Sequence, residues 1–269
     1  MLSVAIITKN EESNIERCLR SVQWADEIVL VDAHSSDSTA EKATKLNANV
    51  LQRGWDGYAT QKEYAVAQCS HDWVLSIDAD EEVPETLRAE ILHAVDRTDE
   101  YNGYEIPRKS FFLGAWMQYG GWYPGYQLRL FRKSKTRMNH RPVHEGFLTE
   151  GSIGRLQSAL NHYTYESIHH YVEKMNDYTS LDVHNKIVTG RVVHWYHLLL
   201  NPLSSFFRMF FSLKGYKDGF RGFLLAYYSS FSTLTLYAKC WEYQQAQQGH
   251  ADLPPTTSEM IAELKRLSS

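Results

Sequence analysis

Residues 78–82 read Asp-Ala-Asp-Glu-Glu and directly follow the apolar run Trp73-Val74-Leu75-Ser76-Ile77. An apolar run that ends in carboxylates reads as a buried strand delivering acids to the edge of a sheet. Four acids within five residues repel one another, so positive charge must compensate them if they converge. A hard divalent cation bridged to a substrate phosphate would do so economically. The plainer alternative is a solvated acidic loop ahead of a helix, because Pro84 suits the first helical position and acids suit a helix N-terminus.

Acids of this kind need a scaffold, and the first hundred residues supply one. Residues 2–7, 27–31, 49–51 and 73–77 have strand character. Residues 12–22, 38–46, 57–69 and 84–95 alternate with them and have helical patterning, with Ile15, Leu19 and Val22 on one face. Strand–helix alternation predicts an α/β fold: a mostly parallel sheet with helices on both faces. In such sheets ligands bind at the carboxyl ends of the strands. Polar residues stand at those ends: Thr8-Lys9-Asn10-Glu11, Asp32, and Asp78 with Asp80.

After residue 102 the pattern changes. Residues 104–107 and 127–132 read as strands, and the Trp-, Tyr- and Gly-rich stretch 111–126 between them reads either as a closing loop with glycine pivots or as a packed Ω-like loop. Residues 166–183 form an amphipathic helix pattern. Residues 192–243 are aromatic and dotted with Arg208, Lys214, Lys217, Arg221 and Lys239. Such a segment fits helices lying on an anionic membrane surface, a helical subdomain packed on the sheet, or a dimer interface. Residues 244–255 read as a polar linker, and Thr256-Thr257-Ser258-Glu259 as a capping box for a last short helix. The expected organisation is a domain over residues 1–165, a helical and membrane-associating extension over 166–243, and a linker with a short helix over 244–269.

Composition narrows the classes. A length of 269 residues with 43% hydrophobic and 22% charged residues supports a substantial core and argues against disorder. A formal net charge of -4 argues against a nucleic-acid partner. Cys18, Cys69 and Cys240 are too scattered for a disulfide framework or a zinc motif and suggest a reducing compartment. Met1 leads straight into a strand-like run with no signal-peptide pattern, so the expected location is cytoplasmic, with peripheral attachment to the inner membrane as an option. Residues 192–207 and 222–238 approach the length of a membrane span but carry too many polar groups to be one. No Gly-rich, Lys-bearing phosphate loop of the kinase type is present.

Three segments in register, residues 3–12, 27–39 and 78–81, resemble the GT-A glycosyltransferases of family 2. With Trp24-Ala25-Asp26-Glu27, Pro142-Val143-His144-Glu145 and the aromatic, basic carboxyl-terminal part, the chain is similar to a group within that family. That group adds a β-1,4-linked glucose to the inner-core heptose of lipopolysaccharide. The sequence departs from the pattern at Ala33-His34, where small residues such as Ser-Gly are expected.

The resemblance implies a GT-A (Rossmann-like) domain and metal-dependent, inverting transfer of a hexose. The implied donor is a UDP-sugar, UDP-glucose first, and the implied acceptor a lipid-linked saccharide, the lipopolysaccharide inner core first. Transfer to polyprenyl phosphate or protein, or non-catalytic nucleotide-sugar binding, are the alternatives. Asp80 would hold Mg2+ or Mn2+, His162 would join the metal shell, and Asp78 would face the ribose or metal-bound water. Asp32 would accept from the uracil N–H, Thr8, Asn10 and Glu11 would line the nucleotide pocket, and Lys62 would approach the donor. Glu145 would take the acceptor proton. Each residue has a simpler alternative: a helix-start turn for Asp32, a solvated helix face for Lys62, a surface turn for Glu145, a hydrogen-bonded structural role for His162. Arg129 and Arg132 fit either a diphosphate or acidic-acceptor contact or plain strand alternation.

Overall fold

The computed structural model describes residues 1–97, 101–139, 146–188 and 192–247. Two compact units result. One comprises Met1–Phe111 and Trp122–Thr164; the other comprises Phe112–Gly121 and the chain from Tyr165 onward.

In the first unit, β1 (Leu2–Thr8), α1 (Ile15–Ser21), β2 (Glu27–Asp32), α2 (Thr39–Lys45), β3 (Asn49–Gln52), α3 (Tyr58–Gln68) and β4 (Trp73–Asp78) alternate as the sequence predicts. The two-residue β5 (Glu81–Glu82) and α4 (Glu85–Asp96) follow. Next come β6 (Gly103–Ile106), β7 (Arg108–Phe112), β8 (Ala115–Trp116, a segment of the second unit), β9 (Gln127–Arg132), β10 (Thr136–Asn139), β11 (Gly146–Thr149), β12 (Ile153–Arg155) and β13 (Leu160–Tyr165). The central sheet runs β12-β6-β9-β4-β1-β2-β3. Its pairs β3–β2, β2–β1, β1–β4 and β12–β6 are parallel, and β9 is antiparallel to both its neighbours.

β1 is buried along its whole length, as a central parallel strand flanked by helices must be. Its side chains alternate between two cores. Leu2, Val4 and Ile6 pack with Ile15 and Leu19 of α1 and Leu87 and Ile91 of α4. Ala5 and Ile7 pack with Ala65 and Val66 of α3 and Phe131 of β9. The order β3-β2-β1-β4 reverses direction at β1, which opens a crevice at the carboxyl ends of β1 and β4. Outside this sheet, β13 lies between β5 and β7. The sequence reading did not find β5, β7, β8 or β10–β13: pieces of two to six residues hold too few alternations to register as strands.

The second unit is built on α5 (Ile168–Val188), α6 (Trp195–Phe207) and α7 (Gly219–Gln247). Val183, Val193, Tyr237 and Cys240 form its small core, with Leu198 and Leu236 against them. Pro202 breaks the backbone ladder inside α6, and its carbonyl accepts Ser230 Oγ of α7 at 2.8 Å. Part of the aromatic stretch belongs here as a packed loop. Gly120 N–H donates to Leu213 O at 2.9 Å, and a side chain at Gly120 would meet Met209 at 3.3 Å. The glycine therefore permits close approach. Among the described residues no helix is long and apolar enough to cross a membrane.

Leu75 is fully buried in the larger core of the sheet. Leu75→Ala is expected to cost about 2–5 kcal/mol, read as a lowered urea midpoint with an unchanged slope.

Candidate active site

β4 delivers Asp78 to the crevice, level with Ile7 of β1, while β2 delivers Asp32 level with Thr8. Two strand spacings separate the acids, roughly 10 Å at the backbone. The acids of residues 78–82 then part company, because the chain turns at Ala79-Asp80 and re-enters as β5.

Asp78 and Glu81 turn inward. Arg129 of β9, itself buried, reaches Asp78 Oδ2 at 2.8 Å and Glu81 Oε1 at 2.7 Å. Lys62 of α3 meets the other oxygen of Asp78 at 2.9 Å. Arg108 lies 3.6 Å from Glu81, and the Asp78 N–H donates to Glu81 Oε2 at 2.9 Å. Burial alone would raise the Asp78 carboxyl, but the Arg129 guanidinium and the Lys62 ammonium outweigh it and hold that carboxyl well below the usual range. Burial likewise disfavours the charged Arg129, yet Asp78 and Glu81 raise it above its ordinary value. The compensating charge demanded by the acidic run thus comes, for these two acids, from the protein's own cations. Arg129 proves to bind acids of its own chain, while Arg132 lies 3.5 Å from Asp72 and stacks over Trp73.

Asp80 is buried too, but faces β13. Its Oδ2 stands 3.4 Å from His162 Nε2. The pairing of β13 with β5 causes this meeting: His162 lies opposite Glu81, Asn161 opposite Glu82, and Tyr163 N–H donates to Asp80 O at 2.9 Å. Ser110 Oγ lies 3.3 Å from His162 Nδ1 and orients the ring. A carboxylate oxygen suits Mg2+ or Mn2+, and an imidazole nitrogen is a reasonable second donor for Mn2+ but a poor one for the harder Mg2+. Among the described residues no group of three or more His, Cys, Asp or Glu side chains could hold a metal alone. The pair by itself would leave the shell of a divalent cation incomplete.

On the other flank of β1, Thr8 is buried and its hydroxyl has no hydrogen-bond partner among the described residues. Asp32 is fully buried; it accepts the Ser35 N–H at 2.9 Å and the Ser35 hydroxyl. Asn10 N–H donates to Ser35 Oγ at 2.8 Å, and Asn10 Oδ1 accepts Ser36 N–H at 2.9 Å. Glu11 N–H donates to Thr39 Oγ1 at 2.9 Å. These bonds lace the loop after β1 to the loop after β2. His34 has φ +53°, a left-handed conformation that Gly adopts freely. That backbone explains why a small residue is expected there. The structure therefore gathers Thr8, Asn10, Glu11, Asp32, Lys62, Asp78, Asp80 and His162 around the carboxyl ends of β1, β2 and β4. Glu145 lies outside the described residues.

Sequence reasoning missed the part played by Glu81, Arg108 and Ser35. A basic residue inside the apolar run Leu128-Arg129-Leu130-Phe131 was the available signal for Arg129, since a cation there needs a buried acid.

The sheet, its switch point and the acids at its strand tips define a GT-A fold. The Glycosyl transferase family 2 profile matches residues 3–164, and the chain belongs to that family. It is a glycosyltransferase. It is 31% identical over 232 residues to the lipopolysaccharide core biosynthesis glycosyltransferase LpsC of Rhizobium meliloti (strain 1021), covering 84% of this chain and 86% of the relative. It is 32% identical to the uncharacterized glycosyltransferase RC0292 of Rickettsia conorii (strain ATCC VR-613 / Malish 7), covering 83% of each. The crystal structure of S. aureus TarS 1-349 in complex with UDP-GlcNAc is similar with a TM-score of 0.47 at 15% identity, covering 94% of this chain and 93% of that one.

Two outcomes follow from the ion network. Arg129→Met leaves Glu81 buried beside only a distant guanidinium and is expected to cost about 3–5 kcal/mol, with part recovered in Glu81→Gln/Arg129→Met; chemical denaturation checks both. The lowered Asp78 value contributes stability that is present above about pH 4 and lost as pH falls through its folded value. Asp78→Asn should therefore flatten the fall in stability below about pH 4, measured by denaturant midpoints across that range.

Proposed function

We propose that this glycosyltransferase moves a hexose, glucose first, from a UDP-sugar to a lipid-linked saccharide, the lipopolysaccharide inner core first, with inversion. The single observation that carries the reading is the Asp80–His162 pair at the strand tips, beside a neutralised Asp78. The name of the Rhizobium relative supports the choice of acceptor. In this reading residues 1–165 form the catalytic domain, 166–243 a membrane-associating extension and 244–269 a linker with a short helix. The protein works on the cytoplasmic side, peripheral to the membrane, which its three free cysteines support.

Asp80 and His162 would hold a divalent cation, and the cation would offset the charge that builds on the departing diphosphate. Asp78 would face the ribose and Lys62 the diphosphate, which is an anion a cation at that position can meet. Thr8, Asn10, Glu11 and Asp32 would form the nucleotide side, with Asp32 and Asn10 fixing the course of the 33–38 loop through Ser35 and Ser36. The acceptor hydroxyl oxygen attacks the anomeric carbon from the face opposite the diphosphate. Its proton passes to Glu145, and the bond from the anomeric carbon to the diphosphate oxygen breaks with both electrons leaving on UDP.

Asp80→Ala is expected to lower turnover of radiolabelled UDP-sugar by about 100-fold or more, and retained turnover would refute the proposed role. Glu145→Gln should lower kcat by about 10²- to 10⁴-fold while UDP binding by calorimetry stays unchanged; a loss confined to UDP binding would remove Glu145 from the acceptor side.

A further inference from the structure

The outer surface of the second unit is apolar where water should make it polar. Trp195, Leu199, Leu200, Leu203 and Phe207 recur along α6 at spacings of one helical face, and Phe211 continues the stripe into the turn Arg208–Ser212. Each of the six is more than half exposed. Phe220, Phe223 and Tyr227 add exposed rings at the start of α7. The opposite side of α6 is the packed one: Pro202 is buried, and Leu198 lies against the Val193–Tyr237 core. The helix contains no Asp, Glu, Lys or Arg. An amphipathic surface helix in water presents the reverse arrangement, and contiguous exposed apolar patches mark interaction sites.

The surrounding charge identifies the partner. Residues 192–243 hold five Lys or Arg and two acids, Asp218 and Glu242, in a chain whose net charge is -4. Asp218 accepts the Gln118 and Tyr119 amides at 3.3 and 2.9 Å. Arg208, Lys214, Lys217 and Arg221 are exposed where the apolar stripe of α6 ends. A second copy docked through the same face would gather both sets of cations with little acid to offset them. Anionic lipid headgroups above an apolar layer complement both features.

We propose that the outer face of α6, continued through the next turn into the start of α7, is a membrane-docking surface that inserts into the interface of an anionic bilayer. The inference rests on the peripheral placement above and assigns it to named residues. Trp195, Leu199, Leu200, Leu203, Phe207 and Phe211 enter the boundary between headgroups and acyl chains, and the four cations remain at headgroup level. The helix lies in the plane, being too short to cross.

The test is flotation of the full chain with vesicles of phosphatidylcholine alone or with about 30% phosphatidylglycerol, a fraction chosen to give an anionic surface potential. Donor and acceptor are absent, so a wrong sugar or acceptor assignment leaves the result untouched. The wild type should float with the anionic vesicles, tenfold or more better than with neutral ones, and less so in high salt. Leu200→Glu/Phe207→Glu and Arg208→Glu/Lys217→Glu should each lose at least tenfold while keeping the circular dichroism spectrum and UDP binding of the parent. Failure of the wild type to float, or variants that float like it, would overturn the proposal. So would a dimer that Leu200→Glu/Phe207→Glu converts to monomer with no vesicle binding, which would make the face a self-interface.

Discussion

One guanidinium organises the catalytic end of this molecule. Arg129 reaches across from an antiparallel strand and grips Asp78 and Glu81 together. Without it, two carboxylates would face a low-dielectric interior with only Lys62 and Arg108 nearby. With it, the acids on either side of Asp80 are spoken for. Asp80, which also acts on the Arg129 charge, is then left facing His162.

The same division explains what an acidic run at a strand tip accomplishes. Charges that repel in the bare sequence are parted by the turn: Asp78 and Glu81 share Arg129, Asp80 faces His162, and Glu82 meets Asn161 and Tyr163. The laced loops on the far flank of β1 do comparable work without ions. Ser35, Ser36 and Thr39 tie Asp32, Asn10 and Glu11 into one rim. A nucleotide pocket built this way would be held by many short-range bonds, each of modest strength.

Much of the fold was legible because the parallel core writes itself in long apolar runs. β1, β2 and β4 could be read from composition alone, and the rule that ligands gather at carboxyl ends then pointed to Thr8, Asp32, Asp78 and Asp80. The remainder was hidden for definite reasons. β5 is two residues long and leaves no periodic trace. Arg129 offered two readings because a lone cation in a strand says nothing about which acid it will meet across 51 positions of sequence. His162 stood out by resemblance, but its neighbour Asp80 is fixed by pairing between segments about 80 residues apart, information that local pattern does not contain.

That pairing carries its own safeguard. Side chains along β13 point alternately to opposite sides, so a slip of one position would exchange the imidazole for an amide or a phenol. Glu82 prevents it: one of its oxygens accepts both Asn161 Nδ2 at 3.0 Å and the Tyr163 hydroxyl at 2.7 Å, one residue to either side of His162. Arg17 lies over the Tyr163 ring at 3.6 Å and Phe111 stacks on it at 4.9 Å, clamping the phenol from outside. The last acid of the run thus serves as an alignment key, and the ladder it locks is only two rungs long.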